Sequence, residues 1–227
     1  MSDLQPAGVL FDLDGTLVDS APDLTTAVNR SLADQGGAPL SEAQVRHWIG
    51  DGARWLIARA LTGRRDIHTE PPGTGAALAR FFVHYHDCLC VGSRLYPGVL
   101  AGLESIAATG RPMGVVTNKP AAFTGPLLEA LGIAGFFGVA VSGDTVGVRK
   151  PDPAPLVHAA GVLRLAIEHC VYVGDSGADR AAAEAAGATL VRVPYGYPGD
   201  DAIFADHPAA LTMTIDQLGE RLKRTPA

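Results

Sequence analysis

Positive charge, cysteine, aromatic side chains and long apolar runs are all in short supply here. Eighteen Lys and Arg face 24 Asp and Glu across 227 residues, a formal charge of -6. No basic block is dense enough to offset that balance, so a nucleic-acid or anionic-membrane partner is not expected. The one basic cluster, Arg221 to Arg224, reads as a solvated tail. The cysteines Cys88, Cys90 and Cys170 are odd in number and lack metal-ligand spacing. Cys88 and Cys90 fall on different sides of a helical pattern, which suits incidental or buried thiols in a reducing cytoplasm rather than a disulfide framework. The longest uncharged stretch, Ala130 to Gly143, is Gly-rich and too short for a membrane span of about 20 residues. Met1 to Gly8 has an acid and a proline but no basic-then-apolar order, so no signal peptide is expected. Repeats are absent, which sets aside a solenoid.

Aromatic residues make up only 6% of the chain, yet 47% of it is hydrophobic, enough for a sizeable core. At roughly 150 residues per domain, this length suits one large domain with a smaller insertion.

Gly8 to Leu13 is a short apolar run ending in acids, the pattern of a buried parallel strand that delivers polar groups at its carboxyl end. Four further runs repeat it: Met113 to Thr117, Val139 to Val141, Cys170 to Val173 and Thr189 to Val193. Helical spacing separates them, in Val99 to Ala107, Phe123 to Leu131, Leu156 to Leu163 and Ala181 to Ala186. Strand alternating with helix predicts an α/β fold, a doubly wound, Rossmann-like parallel sheet covered on both faces. From Ala21 to about Cys90 the alternation stops. Helical patterns over Pro22 to Gln35, Trp55 to Ala60 and Leu78 to Leu89, with a loop over Thr62 to Gly75, mark this interval as a helical insertion. The division expected is a core of residues 1–18 and 92–227 and an insertion of residues 19–91.

Four polar clusters sit at the expected strand ends. In Asp12-Leu13-Asp14-Gly15-Thr16-Leu17-Val18-Asp19-Ser20, residues 12 and 14 project to one side of an extended chain. Two carboxylates so placed repel, and a divalent cation or a shared proton relieves them. Taken alone, a solvated acidic turn explains the motif as well, and a calcium loop explains it less well because the later ligands are missing. Thr117-Asn118-Lys119-Pro120 offers a hydroxyl at a helix start, either a phosphate seat or an ordinary cap. Lys150, ahead of Pro151 and Pro153, is either a directed cation or a surface charge. Asp175 and Asp179, about one helical turn apart, are either metal-site acids or a cap with an acid in the first turn. Their co-occurrence is informative, because in doubly wound sheets ligands bind beyond the carboxyl ends of the strands.

With these residues, the chain resembles the haloacid dehalogenase-like hydrolases over essentially its whole length. The Asp12 to Ser20 segment is that superfamily's first motif, and Thr117, Lys150, and Asp175 with Asp179 match the next three in order. The insertion resembles the superfamily's cap. Within the superfamily, Val116-Thr117-Asn118-Lys119-Pro120, Ser142-Gly143-Asp144, Lys150 to Leu156 and Pro194 to Tyr197 are similar to the phosphoglycolate phosphatases. Trp48-Ile49-Gly50-Asp51-Gly52-Ala53-Arg54 is similar to their substrate-specificity loop.

The resemblance implies a phosphatase of carbohydrate metabolism acting on a small phosphorylated metabolite, foremost 2-phosphoglycolate. It is expected in the cytoplasm as a monomer or small homo-oligomer. Asp12 would be the nucleophile that forms an aspartyl-phosphate, and Asp14 the general acid and base. Asp12, Asp14 (through its main-chain carbonyl) and Asp175 would hold Mg²⁺, with Asp179 orienting Lys150 or a metal-bound water. Thr117 and Lys150 would hold the phosphoryl oxygens, supported by Asn118. Gly50, Gly52 and Arg54 would line the leaving-group end, Arg54 pairing with a carboxylate or remaining a surface charge. The rivals are a phosphatase for a sugar phosphate, muramic acid 6-phosphate or pyrophosphate, a β-phosphoglucomutase-like phosphotransferase, and a silent binding module on the same fold. Dehalogenases of the superfamily lack the second acid, Asp14, and Thr16 leans towards hydrolysis.

Overall fold

The computed structural model describes residues 4–197 and 211–224. Its centre is a six-stranded parallel sheet of β1 (Gly8–Phe11), β4 (Met113–Val116), β5 (Val139–Val141), β6 (Cys170–Gly174), β7 (Thr189–Arg192) and β8 (Leu211–Thr212). The order β5-β4-β1-β6-β7-β8 reverses direction on either side of β1. The doubly wound α/β sheet expected from the strand grammar is therefore present, and Asp12 leaves its central strand.

Alternation along the strands explains the two covered faces. Val9 and Phe11 of β1 and Val171 and Val173 of β6 join one buried cluster. It also takes in residues of α5 (Val99–Ala107) and α9 (Ile215–Lys223). Leu10 and Tyr172, pointing the other way, pack with α7 (Ala154–Val162) and α8 (Gly177–Ala186). Another core helix, α6 (Ala121–Ala130), follows β4.

The two ends of the helical insertion are clasped together. β2 (Val18–Asp19) and β3 (Arg94–Leu95) pair antiparallel as Val18↔Leu95 and Asp19↔Arg94. Between them run α1 (Ala21–Ala33), α2 (Glu42–Trp48), α3 (Ala53–Thr62) and α4 (Thr74–Cys88). These helices share a separate apolar cluster that includes Leu24, Val28, Val45, Trp48, Leu56, Phe81 and Tyr85, joined by Phe123 of α6. Pro22 occupies the first turn of α1, where its missing N–H costs nothing. Among the described residues, no helix is long and apolar enough to cross a membrane.

Some expectations need correction. Arg221 to Arg224 is not a solvated tail, because most of it belongs to α9, which buries Ile215, Leu218 and Leu222 against the sheet layer. The apolar residues spaced three and four apart just upstream carried that signal. Cys90 is not helical: α4 ends at Cys88, and Cys90 has a φ of 63°. Helix α2 also went unread, because its seven residues bury only Val45 and Trp48 and are started by a capping box between Ser41 and Gln44.

Candidate active site

Asp12 lies just beyond β1, and its amide still donates to Val173 O at 2.8 Å, continuing the ladder. The chain then turns through Gly15 at φ 92°, where a Cβ would collide with the Asp175 carboxylate. This turn sends the two acids to different partners. Asp12 Oδ1 receives Lys150 Nζ at 2.7 Å. The Asp14 carboxylate receives Ser20 Oγ at 2.6 Å and Lys119 Nζ at 3.0 and 3.2 Å.

Behind Asp12 stands a buried acidic cluster. Asp12, Asp175 and Asp179 each offer a carboxylate oxygen within 4.8 Å of the others. Asp179 is placed by local helix chemistry: it is the third residue of α8 and closes a capping box with Ser176. Its Oδ2 accepts from Ser176 N at 2.9 Å and Ser176 Oγ at 2.6 Å, and its Oδ1 accepts from Lys150 Nζ at 2.7 Å and Tyr172 OH at 2.8 Å. Asp175 is held by Thr16 Oγ1 at 2.9 Å and the Tyr197 amide at 2.5 Å.

The charges in this cluster do not balance. Burial, followed by the Asp179 charge, pushes the Asp12 carboxyl up to about 7, although Lys150 pulls the other way. Burial and its two acidic neighbours likewise push Asp175 well above the usual carboxylate range. For Asp179 burial also acts upward, but Lys150 and Ser176 outweigh it and hold the group low. Lys150 is held up at about 12, because Asp12 and Asp179 overcome the burial that would discharge it. One ammonium thus stands against two of the three acids, Asp12 and Asp179, and the site is short of positive charge on the side of Asp12 and Asp175. An all-oxygen donor set of this kind fits a hard divalent cation such as Mg²⁺.

Asp12 and Asp14 open onto one cavity between the sheet and the helical insertion. Thr117, Asn118 and Lys119 line it from the end of β4, and Gly50 and Gly52 line it from the segment joining α2 to α3. Of the residues singled out from sequence, Asp12, Asp14, Thr117, Asn118, Gly50, Gly52, Lys150, Asp175 and Asp179 therefore come together.

Three details decide or sharpen what the sequence left open. Arg54 is not in the cavity; it is exposed in the first turn of α3 and pairs with Glu70 at 2.6 Å. Asn118 acts as a brace: its Nδ2 donates to Gly50 O and Lys150 O at 3.0 Å each, and its Oδ1 accepts from Lys150 N at 3.0 Å. Both amide hydrogens are thus engaged within the protein. The Asp14 carboxylate is absent from the acidic cluster, because Lys119 and Ser20 turn it into the cavity.

Several participants were not foreseen. Lys119 lay within a quoted motif, but nothing in the sequence distinguished its side chain from a surface charge. It is buried, and although burial alone would lower its pKa, Asp14 and Tyr85 hold it above the ordinary lysine value. Tyr85 carried no signal beyond its place on the apolar stripe of α4. Tyr197 was part of the quoted Pro194 to Tyr197 segment. Its hydroxyl accepts from Ser20 N at 2.9 Å and Ala21 N at 3.0 Å and donates to Asp19 at 2.6 Å. It satisfies the amides of Ser20 and Ala21 at the start of α1, where the Ser20 hydroxyl makes no cap and is committed to Asp14.

The family model of the haloacid dehalogenase-like hydrolases matches residues 6–187. A curated phosphoglycolate phosphatase of Colwellia psychrerythraea is 45% identical over 95% of this chain and 96% of its own. One from Yersinia pseudotuberculosis is 46% identical over 88% of this chain and 86% of its own. Among solved structures, a predicted phosphoglycolate phosphatase from Haemophilus somnus superposes with a TM-score of 0.84 at 34% identity, covering 97% of this chain and 98% of that one.

Proposed function

The chain belongs to the haloacid dehalogenase-like hydrolases, and from that premise we propose that it is a Mg²⁺-dependent phosphatase that hydrolyses 2-phosphoglycolate to glycolate and phosphate. Its relatives are curated phosphoric monoester hydrolases. The observation that carries the reading is the division of labour between two acids on one cavity: Asp12 against Lys150 and the acidic cluster, Asp14 turned towards the leaving-group side.

In this reading an Asp12 carboxylate oxygen attacks phosphorus while the bond to the ester oxygen breaks, and Asp14 gives that oxygen a proton. Asp14 then takes a proton from water, whose oxygen attacks phosphorus, and the bond from phosphorus to Asp12 breaks to release phosphate and restore both acids. Lys150 and Thr117 hold the phosphoryl oxygens, and Asp179 keeps the Lys150 ammonium in place. Mg²⁺ would be held by Asp12, Asp175 and the main-chain carbonyl of Asp14, and when bound it offsets the repulsion between an anionic nucleophile and an anionic substrate. Residues 19–91 serve as the cap, closing over the site to exclude water, with hinges near 17–20 and 92–98.

The test is phosphate release with and without Mg²⁺ from 2-phosphoglycolate, glucose 1-phosphate, muramic acid 6-phosphate and pyrophosphate. The expected result is a Mg²⁺-dependent preference for 2-phosphoglycolate in kcat/KM. Preference for another ester overturns the substrate, and silence on all of them overturns the phosphatase.

A further inference from the structure

We propose that Lys119 reads the leaving group, seating the carboxylate of a short acidic alcohol beside Asp14. The inference rests on the phosphatase reading and names the residue that would set its specificity. Among the described residues lining the cavity, Lys119 is the only cation. The other candidates lie off this wall: Lys150 is outside the lining, against Asp12 and Asp179 where the phosphoryl group is placed, and Arg54 is tied to Glu70 outside the cavity, whereas Lys119, though engaged by Asp14 and Tyr85, borders the space itself.

The position suits the task. The ester oxygen must come within hydrogen-bond reach of Asp14 to receive its proton. Lys119 Nζ lies 3.0 and 3.2 Å from the two oxygens of that carboxylate. A group carried one carbon beyond the ester oxygen therefore comes close to the ammonium, which is where 2-phosphoglycolate has its carboxylate. The ammonium is also held from the cap side, donating to Tyr85 Oη at 2.7 Å. Tyr85 is fixed in turn between Phe81, stacked at 5.4 Å, and Phe123 at 4.9 Å. Tyr85 thus carries the arrangement of the cap to the charge that would meet the substrate.

The remainder of the wall argues against a polyhydroxylated leaving group. Leu24, Ile49, Leu56, Phe81, Phe82 and Phe123 offer no side-chain hydrogen bond. A sugar pressed against them would leave hydroxyls buried without partners, which is unfavourable for each one. A two-carbon acid needs only one cation and a small apolar surround.

The experiment compares 2-phosphoglycolate with 2-hydroxyethyl phosphate, in which an alcohol replaces the carboxylate, for the wild type, Lys119→Met and Tyr85→Phe. The wild type should favour 2-phosphoglycolate. In Lys119→Met the ratio of the two kcat/KM values should fall by about 10- to 100-fold, the weight of one charge-assisted hydrogen bond at tenfold per about 1.4 kcal/mol. Most of that loss should lie in KM for 2-phosphoglycolate. Equal losses on both substrates would reduce Lys119 to a residue that orients Asp14 and overturn the proposal. Should Lys119→Met fail to fold, Tyr85→Phe keeps the ammonium and still decides: its KM should rise several-fold more for 2-phosphoglycolate, and equal movement counts against the idea. A wild type that hydrolyses both esters equally well also sinks the role of Lys119 while sparing the phosphatase, whereas one that hydrolyses neither sinks the phosphatase itself.

Discussion

Replacing the proposed nucleophile should make the metal-free protein more stable. Asp12, Asp175 and Asp179 crowd their carboxylates within 4.8 Å of one another, and Lys150 pairs with two of them, Asp12 and Asp179. Burial raises the Asp12 carboxyl from its usual 3.8 to about 7. A carboxyl raised in the folded state binds a proton more tightly folded than unfolded. Stability therefore falls as pH climbs from about 4 to about 7, and the full penalty persists above that window. A shift of about three units at about 1.4 kcal/mol each puts the penalty near 4 kcal/mol at pH 8.

Asp12→Asn removes that charge in a side chain of nearly the same shape. Lys150 is not stranded, because Asp179 Oδ1 stays 2.7 Å away and the Tyr172 hydroxyl accepts at 2.9 Å. Some of the gain is lost with the weaker contact from amide to lysine. The net expectation is about 1–3 kcal/mol in favour of the variant at pH 8 in chelator, or about 2–4 °C in Tm for each kcal/mol in a chain of this size. At pH 5 the wild-type carboxyl keeps most of its proton in the folded state, and the gap should narrow. Mg²⁺ should raise the wild-type Tm at pH 8 more than that of the variant, since a ligand stabilises only the state that binds it. Thermal melts at pH 5 and 8, with chelator or Mg²⁺, measure all of this. A variant that melts below the wild type at pH 8 in chelator would refute the claim that the acids strain one another.

Two further substitutions probe the surroundings. Arg54→Ala should leave kcat/KM for 2-phosphoglycolate within about twofold of wild type, because an exposed pair such as Arg54 with Glu70 contributes only about 0–1 kcal/mol; a loss confined to carboxylate-bearing substrates would return Arg54 to the cavity. Tyr197→Phe strips the acceptor from the amides of Ser20 and Ala21 and the donor from Asp19. It should cost about 1–3 kcal/mol in chemical denaturation, and an unchanged midpoint would show that water satisfies those amides equally well.

How far the sequence carried the reading follows from the range of the interactions involved. Asp12 and Asp175 were legible because each sits just after a buried apolar strand, Asp179 follows in the first turn of the next helix, and a doubly wound sheet gathers such ends at one place. Asp179 was doubly marked, since the spacing from Ser176 that closes the capping box also aims it at Lys150. Lys119 and Arg54 show the opposite case. Both are cations in recognisable motifs, and local pattern favoured Arg54, in the loop thought to set specificity. What separates them is long-range: Lys119 is buried against Asp14, 105 residues earlier, and against Tyr85 on the cap, while Arg54 meets Glu70 across an exposed turn. Burial of a lysine depends on which distant surfaces close over it. Asn118 makes the same point with hydrogen bonds, because its amide joins Gly50 of the insertion to Lys150 of the core. The acids attached to strands were readable from spacing; the groups that join cap to core became visible only with the cavity they line.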